Sequence, residues 1–142
     1  MIDQLLIVRK VAMLREHLGR ARRRRPPSPE LLQSDVDLQD ALALSLLVAI
    51  QEAVDIALHV AADEGWGVAA SYAEAFEMLA AHGVIDAGHA RELGATAAVR
   101  NRIAHGYATV DSARLWAELP AGLDALERYA SSIARHVESS AD

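Results

Sequence analysis

Apolar residues recur at helical spacing along almost the whole of this chain, and no segment alternates apolar with polar as a half-buried strand does. That property restricts the fold to packed helices. Composition points the same way. Of 142 residues 52% are apolar but only 4% aromatic, so the core must be built mainly from Leu, Ala, Val and Ile. Ala and Leu carry the best helix propensities. A chain of this length suits one domain, expected over residues 1–142. No internal repeat, low-complexity tract or long linker divides it. There is no cysteine, which excludes disulfides and thiolate metal sites.

Stop and start signals divide the pattern. A first helix is expected over about residues 2–24, with Leu5, Val8, Ala12, Leu14 and Leu18 on or near one stripe. Arg22, Arg23, Arg24 and Arg25 end it, where cations suit the helix dipole, and Pro26-Pro27 stop it. Ser28-Pro29-Glu30 reads as a cap plus a proline, opening a short turn of helix. The second helix starts near Ser34 or Asp35 and reaches Glu64, with Asp37 completing a weak capping box after Ser34. It is apolar on several sides, which suits a central bundle helix or one that also packs on a second subunit. Gly65-Trp66-Gly67 ends it. Ser71 with Glu74 forms a capping box for a third helix, Tyr72 to His82, closed by Gly83. A fourth runs from about Asp86 to His105. Asp111 caps a fifth, reaching about Val137, which Pro120 should kink or split. The last residues are expected to fray. The sum is an all-α antiparallel bundle of about five helices.

Fourteen basic against twenty acidic residues give a net charge of −6, so a nucleic-acid partner needs a local basic patch. No signal-peptide pattern opens the chain. The apolar stretch Ala41 to Ile50, broken only by Ser45, is too short to span a bilayer and is flanked by acids. The expectation is a soluble, cytoplasmic protein with no membrane partner.

Chemistry gathers in Val99-Arg100-Asn101-Arg102-Ile103-Ala104-His105-Gly106-Tyr107. On a helix Asn101 and His105 are four apart, so the amide can bond the imidazole and fix its tautomer. Arg100 and His105 are five apart, about 140° around the axis. They converge only if the helix ends or distorts near Ala104, or if the arginine reaches across. Tyr107 would lie past the last turn. No carboxylate stands between Val99 and Val110, which argues against a magnesium site. The group fits metal-free phosphodiester cleavage better, with histidine moving the ribose 2′-hydroxyl proton and arginine stabilising charge on the phosphorus oxygens. A histidine that merely meets the helix dipole and a solvated arginine are the plain alternative.

Other features carry two readings each. Arg20 and Arg22 to Arg25 suit RNA or an acidic partner, or equally a solvated helix end. Asp55 and His59 suit a cleft wall, or a buried polar pair satisfying itself. His17, His82, His89 and His136 read as scattered at helix ends or surfaces, with no metal spacing. Trp66 suits base stacking or, more often at such a junction, an anchor; Trp116 reads as core.

Arg100-Asn101, three residues, His105, one residue, Tyr107, then Val110-Asp111 resembles the HEPN superfamily motif in its HepT form, the toxin of HepT–MntA toxin–antitoxin pairs. Asp37 to Ala41, Asp55 to His59, Gly65 to Val68, Ser71 to Phe76 and Leu79 to Ile85 look like the family's successive landmarks. The likeness runs from about Ser28 to Val137 and is least distinct in the first helix. It implies an all-α, HEPN-like homodimer acting as a metal-independent endoribonuclease without cofactor, with two motifs meeting at the dimer interface. Arg100 would bind the scissile phosphate, His105 would be the acid and base, and Asn101 would orient it. Tyr107 would accept AMP from an MntA-like nucleotidyltransferase antitoxin. Arg22, Arg23, Arg24, Arg25 and Arg102 would be further RNA or partner contacts, and the resemblance suggests transfer RNA as the substrate. The alternative is a helical module that binds RNA, nucleotide or protein beside a nucleotidyltransferase without cutting. Arg102 and Gly106 fill variable positions, and Gly106 can loosen the Tyr107 segment.

Overall fold

The computed structural model describes residues 2–106 and 111–141. Among them are helices and no strand: α1 (Gln4–Arg24), α2 (Pro29–Gln33), α3 (Val36–Asp63), α4 (Tyr72–Ala81), α5 (Ala87–Gly106) and α6 (Ser112–Ala141). Five were expected; the sixth is α2, the short turn opened by Pro29, which earns its place by burying Leu32.

In α1 the buried stripe is Ile7, Val11, Leu14, Leu18 and Ala21, an unbroken alternation of four- and three-residue steps. The expected Leu5 and Val8 lie off that line and are exposed. Asp35, not Ser34, caps α3: its carboxylate accepts from the Leu38 amide at 3.0 Å, while the Ser34 hydroxyl donates to the Leu31 carbonyl at 3.3 Å. Ser71 caps α4 as expected, accepting from the Glu74 amide at 3.1 Å. Gly65 follows α3 at φ +72°, a conformation that a side chain resists.

The central helix is α3, which buries twelve residues and packs against α1, α2, α4, α5 and α6. With 28 residues it is long and apolar enough to cross a membrane by length and composition, although its Ala41 to Ile50 stretch alone is too short; 56% of its most apolar window is buried inside the fold. Tyr129 of α6 closes the core around it. Its hydroxyl donates to the Ala53 carbonyl at 2.8 Å, its ring meets Phe76 edge-on at 5.5 Å, and complete burial pushes the phenol pKa well up. Trp66 is an anchor rather than a free stacking platform. It lies flat on His82 at 4.0 Å and tilts against His136 at 6.1 Å, joining the ends of α3, α4 and α6.

Pro120 does not split the last helix, and α6 continues to Ala141, past the expected end near Val137. A proline at 120 cannot donate to the carbonyl four residues earlier, that of Trp116. Arg25 fills the gap: its Nε donates to the Trp116 carbonyl at 3.0 Å. Its guanidinium also lies 3.9 Å from the centre of the Trp116 ring, and the indole donates to the Pro26 carbonyl at 2.8 Å. The turn that ends α1 thus repairs α6.

Candidate active site at the end of α5

Asp86 starts α5 by accepting from the His89 amide at 2.6 Å. His89, expected at a helix end or surface, is 6% exposed; its Nε2 donates to the Ala125 carbonyl at 2.9 Å. This pins α5 to α6. Leu93, Ala97, Val99 and Ile103 then face the core. The register turns Asn101 outward and leaves Arg100 and Arg102 at the boundary.

Arg100 is half-buried. Its guanidinium carbon is 5.7 Å from the centre of the Tyr72 ring, and Nη1 reaches Asn101 Oδ1 at the limiting distance of 3.5 Å. Its Nε is buried and has no hydrogen-bond partner. A buried donor without an acceptor costs about 1–3 kcal/mol. The described contacts of Arg100 are a ring and an amide, neither of them anionic, so none of the described contacts compensates the cation. Such a group favours an arriving oxyanion.

The backbone of His105 is helical, because α5 runs on to Gly106. The helix runs two residues past Ala104, and five helical steps from Arg100 to His105 turn the backbone about 140° around the axis. The His105 side chain, and with it the expected Asn101–His105 bond, lies outside the described side chains. Tyr107 and Val110 lie outside the described residues. Asp111 does cap α6, accepting from the Ala113 and Arg114 amides at 3.0 and 3.2 Å.

Arg102 turns to α6. Its Nη2 donates to Glu118 Oε2 at 2.6 Å, and Arg114 Nε donates to Glu118 Oε1 at 2.7 Å. Burial alone raises the Glu118 pKa. The hydrogen bonds and charges of Arg114 and Arg102 together outweigh that and hold the carboxyl below its usual range.

The Arg22 to Arg25 run divides. Arg24 donates to the Ala41 carbonyl at 3.3 Å and to the Ser45 hydroxyl, which is itself buried. Arg25 serves Trp116. Arg22 lies 3.6 Å from Glu127, and Arg23 is exposed. Asp55 and His59 are not a buried pair: Asp55 accepts from Gln51 at 3.2 Å and lies 3.7 Å from Lys10, whereas His59 is exposed. Among the described residues no three His, Asp or Glu side chains converge as metal ligands would. Two site neighbours escaped the sequence reading, Tyr72 under Arg100 and Glu118 beside Arg102. Each comes from another helix, and nothing in its local sequence marks it.

A family model described as "Ribonuclease HepT-like" matches residues 14–133. Comparison with curated protein sequences finds no match. Among the solved structures that share the fold are three of note. A toxin–antitoxin structure with AMP-PNP is 22% identical, covers 94% of this chain and 99% of its own, and has a TM-score of 0.82. The tri-AMPylated Shewanella oneidensis HEPN toxin in complex with MNT antitoxin is 21% identical, with 95% and 99% covered and a TM-score of 0.81. The Bacillus subtilis cytosolic protein YutE, of unknown function, is 18% identical, with 98% and 93% covered and a TM-score of 0.82.

Proposed function

The chain belongs to the HepT-like ribonuclease family, and from that premise we propose that it is the toxin of a toxin–antitoxin pair: a homodimeric, metal-independent endoribonuclease of the cytoplasm, silenced when an MntA-like nucleotidyltransferase transfers AMP to Tyr107. The observation that carries the reading is Arg100, a half-buried cation whose Nε has no hydrogen-bond partner, five residues before a histidine.

In the proposed reaction His105 takes the proton from a ribose 2′-hydroxyl. The 2′-oxygen attacks the adjacent phosphorus, the bond to the 5′-oxygen breaks, and that oxygen takes up a proton as it leaves. The products are a 2′,3′-cyclic phosphate and a 5′-hydroxyl. Arg100 stabilises the charge that gathers on the non-bridging oxygens. Asn101 orients the imidazole. Helical register sets Arg100 and His105 about 140° apart in one chain, which supports a site shared between two copies. Leu44 and Leu58, exposed one face of α3 apart from the core, support a second subunit there. AMP on Tyr107 would add a phosphate seven residues along the chain from Arg100 and repel the RNA backbone; the AMPylated structural neighbour supports that mode of control.

Expression in cells tests this. The chain alone should arrest growth, and His105→Ala should relieve the arrest. Co-expression with the nucleotidyltransferase gene should restore growth and add AMP units to the intact mass, which Tyr107→Phe should remove. Growth arrest that persists in His105→Ala would refute the catalytic role and favour a binding module.

A further inference from the structure

Between α5 and α6, next to the Arg100–Arg102 segment, lies a cleft of about 470 Å³ that none of the roles above uses. Small-molecule sites occupy about 300–1,000 Å³. One end is closed where the helices touch: a Cβ on Gly122 would lie 3.4 Å from the Thr96 methyl. The other end is bridged by Arg102, Glu118 and Arg114. Between them the walls are Val99, Leu115 and Leu119, and the buried Leu46 of α3 lies beneath. Ala95, Ala98 and Ala121 line the mouth and are exposed, so short side chains leave an open slot with apolar sides.

The charged end is not neutral toward a ligand. Arg102 spends Nη2 on Glu118 and Arg114 spends Nε, so each guanidinium keeps further N–H groups. Their side chains are 37% and 60% exposed, within reach of an incoming group. Glu92, the other acid of the cleft, is bonded to Arg128. At that end two arginines stand against one carboxylate, a local surplus of one positive charge; Arg128, which holds Glu92, is shared with Asp124. An apolar slot ending in a surplus guanidinium fits a flat ring joined to a phosphate.

We propose that this cleft is a subsite for one nucleoside monophosphate unit, with the base between Val99 and Leu119 and the phosphate on Arg102 and Arg114. It deepens the ribonuclease reading and rests on it for where the nucleotide comes from: an RNA residue beside the cut, or the AMP group on Tyr107. A second copy of the chain is the competing occupant. The charge at the rim disfavours it, because an apolar helix laid there would strip water from three ionised groups.

The test is titration of the isotope-labelled full chain, followed by amide and arginine Nε resonances, with 5′-AMP, adenosine, inorganic phosphate and an uncleavable all-deoxy oligonucleotide. AMP should shift Ala98, Gly122 and the Arg102 Nε saturably. Adenosine and phosphate should each bind at least about tenfold more weakly, as loss of one of two anchors implies. Ala98→Trp fills the slot from an exposed position, so folding is spared, and it should abolish the shifts. If RNA is the source, the oligonucleotide shifts the same residues and Ala98→Trp raises KM for cleavage. If the source is the AMP group, only AMP and the AMPylated chain do so. AMP that leaves the cleft unshifted, or shifts that survive Ala98→Trp, overturn the subsite. So does an Ala98→Trp chain that sediments as a monomer where the wild type is a dimer. A wild-type chain that binds AMP in the cleft but cuts no RNA refutes the ribonuclease reading and leaves the subsite standing.

Discussion

Two groups of arginines in this molecule look alike in sequence and differ in what surrounds them. The run at the end of α1 is the denser, yet the fold consumes half of it. Arg24 bonds the Ala41 carbonyl and Ser45, and Arg25 bonds the Trp116 carbonyl and stacks on its ring. At the end of α5, Arg100 has a buried Nε with no partner and, among the described residues, a ring and an amide beside it. A run of charge marks a place where cations are concentrated. Whether they are available depends on carbonyls and hydroxyls that arrive from elsewhere in the chain. An uncompensated cation is the better mark of a site that handles anions.

Substitutions can break that contrast. The largest effect should come from Arg100→Ala, with RNA cleavage falling by about 10²–10³-fold, the usual loss of a group that stabilises developing charge. Its melting temperature should stay near that of the wild type, since no described ion pair is lost. A chain that cuts RNA normally without Arg100 would erase the distinction. Arg25→Ala should do the opposite, costing about 2 kcal/mol of stability through the lost stacking and the orphaned carbonyl. Chemical denaturation reads this, and cleavage per folded molecule should hold steady. The cost should shrink by about 1 kcal/mol in a Pro120→Ala background, where the restored backbone N–H serves the Trp116 carbonyl instead. Equal costs in both backgrounds would show that Arg25 does not compensate for the proline.

Ser45→Ala should cost about 1 kcal/mol, the net value of one hydrogen bond, because Arg24 keeps the Ala41 carbonyl. The smallest effect concerns Glu118. Its folded pKa is lowered, so its pairing stabilises the fold above the unfolded value of 4.5 and is lost as pH falls through the folded value. At 38% exposure the pair is worth a few tenths of a kcal/mol at most. Glu118→Gln should therefore be slightly less stable than wild type at pH 7 and equal to it in strong acid. A gap that widens on acidification would contradict the pairing with Arg102 and Arg114.

Most of the helices were legible because their signals are local. Ser71 and Glu74 sit three apart and meet; the Asp35 cap lay within one residue of its expected place. Errors begin where a choice depends on the rest of the fold. The α1 stripe could be drawn through Leu5 and Val8 or through Ile7 and Val11, and only the position of α3 and α6 selects the second. Pro120 looked like a break because its remedy, Arg25, lies far away in sequence. His89 does lie at a helix end, but its burial was not legible, because the Ala125 carbonyl that satisfies it lies on another helix. Arg100, Asn101 and His105 could be named as a candidate site from the sequence, since the motif is contiguous. Tyr72 and Glu118 reach it through tertiary packing, which no spacing encodes. The expected contact of Asn101 with His105, and the place of Tyr107, fall outside the described side chains.

Incubating the purified chain with RNA in excess EDTA, and analysing the ends of the fragments, bears most directly on the proposed chemistry. Cleavage should persist in chelator, leave 2′,3′-cyclic phosphate and 5′-hydroxyl ends, fall by about 10²–10³-fold in Arg100→Ala and vanish in His105→Ala. Cleavage that stops with chelator, that survives His105→Ala, or that runs at the wild-type rate in Arg100→Ala would contradict it.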